Sequence, residues 1–187
     1  MPQKNIYEEI KIPEGVDVEI TKEKIKISKE GNEIERKFDY EIKKQDGKLI
    51  IEFKKPDKND KKMIKTMIAH LNNMLKGINE KYIYKLQICT VHFPMNIKIE
   101  GNEVIIKNFL GEVKDRKARI IEGVDIKIDG EIITVESCDK EKAGQTAANI
   151  ESATKIKKRD RRIFQDGIYI IEKQKGRKRK WKNQGDF

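Results

Sequence analysis

Two stretches of this chain carry the same order of sequence features, and that repetition limits the possible folds more than any other property. "PEGVDVEI", "EKIKIS", "GNEIERKF" and "QDGKLIIEF" lead into "DKNDKKMIKTMIAHLNNML". Later, "PMNIKIEG", "NEVIIK", "GEVKDRKA" and "IDGEIITVE" lead into "DKEKAGQTAANIESAT". Pro13 and Pro94 lie 81 residues apart, Gly31 and Gly111 80, and Gly47 and Gly130 83. A near-constant offset through an unchanged order argues for duplication over a chance recurrence of strand patterns. Each copy then has about 75 residues, enough for a small domain with a modest core.

The local periods say what each copy contains. Val16, Val18 and Ile20 alternate, as do Ile25 and Ile27, and Leu49, Ile51 and Phe53. The second copy repeats this with Ile97 and Ile99, Val104 and Ile106, and Val124, Ile126 and Ile128. Period two marks half-buried strands. Asp46-Gly47 and Asp129-Gly130 fall between such runs and read as tight hairpin turns, where glycine permits positive φ. Each copy closes with a helix. The first has an apolar stripe of Ile64, Met67, Ile68, Leu71 and Leu75, with Asn59 or Asp60 as its cap and Gly77 near its end. The second, capped by Asp139, buries Ala143, Ala147 and Ile150 and leaves Lys142, Gln145, Asn149 and Ser152 on its polar side. Its small residues suit either tight packing on a sheet or close approach to RNA. The expected fold is α+β: two tandem copies of a small domain of antiparallel strands packed with one helix. The domains are expected at 1–80 and 81–158, with a basic segment, 159–187, anchored on the second.

Composition excludes several classes. No apolar run reaches the roughly 18 residues of a membrane span. The opening "MPQKNIYEEI" lacks the basic and apolar regions of a secretory signal. Cys89 and Cys138 are too few for a disulfide framework and read as reduced, mostly buried thiols of a cytosolic protein. Phosphate-binding glycine loops are absent. His70 and His92 lack the spacing of a metal pair; His70 reads as a packed helix residue, and His92 as either structural or RNA-facing. Cys89, three residues before His92, has no third group to complete a nucleophile. No catalytic residues, metal ligands or cofactor are expected, and the chain reads as a binding protein, not an enzyme.

Charge supplies the positive signal. The formal net charge is +10 with 40% of residues charged. Residues 155–187 hold 13 Lys and Arg against 4 Asp and Glu, which is nine of the ten net charges, leaving one for the first 154 residues. A localised excess points to a polyanionic partner. Within it, Phe164, Ile168 and Ile170 read as anchors, Asp166-Gly167 as a turn, and "IYII" as a short strand. "GRKRKWKN" cannot fold alone; its Trp181 either stacks on an unpaired base or stays in solvent. Without an amphipathic apolar face, this tail fits nucleic acid better than a membrane surface.

Four stretches, "HFPMNI", "NFLGE", "DKEKAGQTAANIE" and "RRIFQDGIYIIEK", together resemble the large-subunit ribosomal protein family numbered six in bacteria and archaea and nine in eukaryotes, in its archaeal type. The resemblance spans nearly the whole chain. It implies two tandem α+β domains and a cytoplasmic, ribosomal protein, monomeric within the ribosome. It further implies binding to large-subunit ribosomal RNA near the sarcin–ricin loop and the translation-factor site, with neighbouring ribosomal proteins as further partners. RNA contacts carried over by motif are Lys142, Gln145, Arg159, Arg161, Arg162, Lys173 and Lys175. Charge adds Lys155, Lys157, Lys158, Arg177, Lys178, Arg179, Lys180, Trp181 and Lys182. The competing reading is a general nucleic-acid-binding protein that compacts DNA, which calls for basic faces on both copies.

Overall fold

The structure is a computed structural model that describes residues 6–21, 24–38, 42–45, 47–53, 57–160 and 162–173. The first half runs β1 (Ile6–Lys11), β2 (Asp17–Ile20), β3 (Lys24–Lys29), β4 (Asn32–Lys37), β5 (Ile42–Gln45), β6 (Lys48–Phe53) and α1 (Lys58–Asn79). The second runs β7 (Tyr82–Cys89), β8 (Asn96–Glu100), β9 (Glu103–Lys107), β10 (Arg116–Arg119), β11 (Asp125–Asp129), β12 (Ile132–Ser137), α2 (Lys140–Ala153) and β13 (Gly167–Lys173). All the strand pairs among the described residues are antiparallel. The fold is therefore α+β, as the alternation and stripes required.

Sheet orders repeat between the halves. β2-β3-β4 matches β8-β9-β10, and β1-β6-β5 matches β7-β12-β11, with β13 added on the far side of β7. One hydrogen bond fixes the equivalence: the Ile12 N–H donates to the Gly47 carbonyl at 3.0 Å, and the Ile88 N–H to the Glu131 carbonyl at 2.8 Å. Ile12 thus matches Ile88, 76 residues on, whereas Gly47 matches Glu131, 84 residues on. The near-constant spacing of the prolines and glycines does not mark equivalent residues. A longer connection absorbs the difference: β3 and β4 close with Lys29 facing Asn32, but Ile106 of β9 faces Arg116 across a loop with a 3-10 turn at Phe109–Gly111. Gly47 (φ +71°) stands just before Lys48, whereas Gly130 (φ +56°) comes first in a loop that also holds Glu131. Asp129 is the last strand residue, not a turn residue.

Two apolar cores form. Ile25, Ile27, Leu49, Ile51 and Leu71 are fully or almost fully buried in the first, and Leu86, Ile106, Phe109, Ile133, Ile150 and Ile168 in the second. Each such side chain contributes about 1.5–3 kcal/mol by leaving water. Cys138 packs against the first core although it lies past β12. It and Cys89 are half-buried free thiols, more exposed than expected.

The cap of α1 differs from the sequence reading, and its end lies two residues past Gly77. Its cap is Asp57, one residue before the helix, and Asp60 returns a carboxylate to the Asp57 N–H at 2.9 Å. Gly77 does not stop the helix, which continues to Asn79. Instead Gly77 lets the backbone of the other half come close: a Cβ there would lie 1.9 Å from the Cys138 carbonyl oxygen and 2.8 Å from the Tyr82 ring. Nearby, Glu141 Oε1 of α2 accepts from Arg36 Nη1 of β4 at 2.7 Å and lies 3.0 Å from His70 Nδ1 of α1. His70 is thus half-buried at the junction of the halves. Among the described residues, no helix is long and apolar enough to cross a membrane.

Candidate nucleic-acid interface

The basic segment is built onto the second sheet by β13. That strand is longer than the "IYII" expected from sequence, running from Gly167 to Lys173 against β7, with Gly167 facing Cys89 and Tyr169 facing Gln87. Gly167 is its first residue, not half of a turn. The opposite edge of β13 is tied to α2: the Ile168 N–H donates to Thr154 Oγ1 at 2.9 Å and the Ile170 N–H to Glu151 Oε1 at 3.1 Å. Ile168 is fully buried, while Phe164 and Ile170 pack against the core, as anchors should.

Asp166 is the residue that sequence reasoning missed. Its side chain is inaccessible to water, yet it charges the base of a loop. Oδ1 accepts from the backbone N–H of Val91 at 2.7 Å and of His92 at 2.8 Å, and Oδ2 meets His92 Nδ1 at 2.7 Å. Burial pushes the carboxyl upward, but the bonds from His92, Val91 and Phe93 outweigh it and hold the pKa at about 2. The His92 ring then lies 5.0 Å from that of Phe164, and the Arg159 guanidinium lies over the Phe164 ring, 4.8 Å from its centroid. The "HFP" loop and the "KKRDRRIF" connection thus form one unit, although 74 residues separate His92 from Asp166. Asp followed by Gly looks like a turn in sequence, and nothing local signals burial.

Arg116 plays a parallel part at the end of α2. It forks onto Glu112 at 2.8 and 2.7 Å, lies 4.2 Å from the Phe109 ring centroid, and donates to the Ala153 and Lys155 carbonyls at 2.9 and 3.2 Å. A cation there satisfies carbonyls and the negative end of the helix dipole. It orients the start of the basic connection.

The polar side of α2 is exposed at Lys142, Gln145 and Ser152. Gln145 donates to Asn149 at 3.0 Å, and Asn149 in turn to the Arg119 carbonyl at 3.1 Å. The small residues serve packing: Ala143 and Ala147 are fully buried, and a Cβ at Gly144 would sit 3.2 Å from the Tyr84 hydroxyl. Lys155, Lys157, Lys158, Arg159 and Arg162 are exposed on the connection, and Lys173 at the end of β13. Arg161, Lys175, Arg177, Lys178, Arg179, Lys180, Trp181 and Lys182 lie outside the described residues.

Elsewhere several exposed cations are neutralised. Lys24, Lys26, Lys48, Lys81, Lys85, Lys107 and Lys117 each meet a carboxylate. Among the described residues Lys142, Lys155, Lys157, Lys158, Arg162 and Lys173 meet no carboxylate, nor do Lys11, Lys37, Lys58, Lys61, Lys62, Lys65 and Lys76 of the first half. The connection is set apart by the local excess of positive charge, 13 Lys and Arg against 4 Asp and Glu from residue 155 on. Charge thus remains available where the sequence concentrates it.

A family model described as ribosomal protein L6 matches residues 93–167. The large ribosomal subunit protein uL6 of Methanococcus vannielii is 47% identical over 171 residues, covering 90% of this chain and 94% of that protein. The chain belongs to the ribosomal protein L6 family. Its counterpart from Sulfurisphaera tokodaii, also a large ribosomal subunit protein uL6, is 46% identical over 174 residues, 91% of this chain and 94% of that protein. Both matches extend well beyond the family-model span. The L6 segment at 93–167 holds Arg116, α2, the basic connection and Asp166. Members of this family are ribosomal constituents and not enzymes.

Proposed function

We propose that this L6-family chain binds large-subunit ribosomal RNA through the polar side of α2, the connection at 155–162, Lys173 and the basic residues that follow. The observation that carries this is the concentration of nine of the ten net positive charges in residues 155–187, whose described cations are exposed, beside a nearly neutral remainder. Unpaired Lys and Arg on a rigid frame suit a phosphate backbone, whose binding requires charge more than base recognition. Gln145 and Arg159 add directional donors, and Trp181 a stacking surface. The resemblance supports a position near the sarcin–ricin loop and the translation-factor site, in a cytoplasmic ribosome, with one copy of the chain per subunit. The same assignment divides the chain into units at 1–80 and 81–158, with 159–187 as the RNA-binding segment.

A salt series tests it. Affinity of the full chain for a large-subunit RNA fragment carrying the sarcin–ricin region should fall steeply with salt, and RNA should remain preferred over duplex DNA. Replacing Lys155, Lys157, Lys158 and Arg162 with Gln should reduce the slope by about 0.7–0.9 for each phosphate left without its cation. Equal affinity for RNA and DNA across the series would instead assign a general nucleic-acid binder. The near-neutral first half argues against that second reading.

A further inference from the structure

Three loops of the second half meet at one corner: 90–95 after β7, 108–115 between β9 and β10, and 154–166 between α2 and β13. Asp166 binds His92, whose ring lies beside Phe164, and this joins the first loop to the third. Asn108 Nδ2 donates to the Pro94 carbonyl at 3.0 Å, and a Cβ on Gly111 would lie 3.4 Å from the Phe93 ring. These contacts join the first loop to the second. Glu112 completes the circuit. Its carboxyl is held below the usual range chiefly by the Arg116 hydrogen bond, with a smaller pull from the charge of Arg159 on the third loop.

The corner combines two kinds of surface. Val91, Phe93, Val113 and Ile163 expose large apolar side chains there. The four carboxylates of the loops are already engaged. Arg116 holds Glu112, Lys107 meets Asp115 at 3.5 Å, the Arg162 N–H donates to Asp160 at 2.9 Å, and the Val91 and His92 N–H groups donate to Asp166. Lys114, Lys157, Lys158 and Arg162 meet no carboxylate among the described residues. The backbone is strained in the same place. Asn108 (φ +59°), Leu110 (φ +51°) and Lys158 (φ +58°) are three of the four non-glycine residues with positive φ among the described residues. Left-handed backbone is costly for a side chain as bulky as leucine, and such strain collects where a ligand is held.

We propose that this corner receives one unpaired base of the ribosomal RNA, stacked on the exposed ring of Phe93, with the loop cations on its flanking phosphates. A nucleotide joins a flat apolar face to an anion, and base–aromatic stacking tolerates any base. A paired RNA helix keeps its bases inside and would leave Phe93 and Val113 in water. An apolar peptide segment would leave the four cations unmatched. The proposal rests on the RNA-binding reading above, and adds a base to a surface described there by charge alone.

The test uses the full chain and the large-subunit RNA fragment carrying the sarcin–ricin region. Phe93→Leu keeps every charge and most of the apolar bulk. Affinity should fall about fivefold or more, while the salt slope stays that of the native chain. A role in packing alone would lower the urea midpoint and leave the affinity of the folded protein unchanged. Val113 is fully exposed, so a photo-crosslinker replacing it probes the corner without disturbing the fold. In large subunits shown by mass spectrometry to contain that variant, the crosslink should map to an unpaired nucleotide. Native affinity in Phe93→Leu overturns the proposal, as does capture of base-paired RNA or of another protein. If the native chain keeps its steep salt slope while Phe93→Leu binds equally well, the charge-based reading stands without the base. If the native chain shows no preference for RNA over duplex DNA, both fall.

Discussion

Asp166 shows how much one side chain can organise. Replacing it with Ala would leave the Val91 and His92 N–H groups facing a buried void, at a cost of roughly 1–3 kcal/mol for an unsatisfied donor. Urea unfolding should show that loss, with faster exchange at residues 91–93. The same carboxyl predicts a pH dependence. Its folded pKa of about 2 lies below its ordinary value of 3.8, so protonation favours the unfolded chain. The contribution, roughly 2 kcal/mol from the size of that shift, is present above about pH 4 and is lost as pH falls toward 2. Unfolding free energy measured across that window should decline more in the native chain than in Asp166→Ala.

At the scale of elements, the junction of α2 with β13 decides whether the basic segment has a fixed origin. Thr154 accepts from Ile168 and donates to the Glu151 carbonyl at 3.1 Å. Thr154→Val retains the shape but strands the buried Ile168 N–H, and should cost about 1–3 kcal/mol. Exchange at Ile168 and Ile170 should accelerate, and RNA affinity should fall without a change in the number of cations. Unchanged exchange at Ile168 would mean that pairing with β7 alone holds β13. β13 exceeds the four apolar residues visible in sequence because Gly167, Glu172 and Lys173 also find backbone partners along β7.

For the whole molecule, the contact between halves is governed by shape more than by charge. Glu141 is about half exposed in its pairs with Arg36 and His70, and exposed ion pairs are worth about 0–1 kcal/mol. Glu141→Gln should therefore change stability little. Gly77→Ala forces a methyl into the Cys138 carbonyl and should cost about 1–3 kcal/mol or more. Denaturant titrations of the two variants rank the effects, and a larger loss for Glu141→Gln would reverse the assignment.

Much of this protein was legible in its sequence. Alternation placed β2, β3, β6, β8, β9 and β11, the stripe placed α1, and Asp139 was correctly read as the cap of α2, where it accepts from the Glu141 N–H at 2.8 Å. The concentration of net charge in residues 155–187 also needed no coordinates. These properties are local or additive: pleat and helix period repeat within a few residues, and charge simply sums. Tertiary structure decided the rest. It turned Asp166 from an apparent turn residue into a buried anchor, made Gly77 a point of close approach to the other half, and, among the described residues, gave β7 two strand neighbours where β1 has one. Each outcome depends on which edge or face meets another across dozens of residues. A carboxylate, a glycine or a strand edge carries no mark in sequence of the partner that folding brings to it.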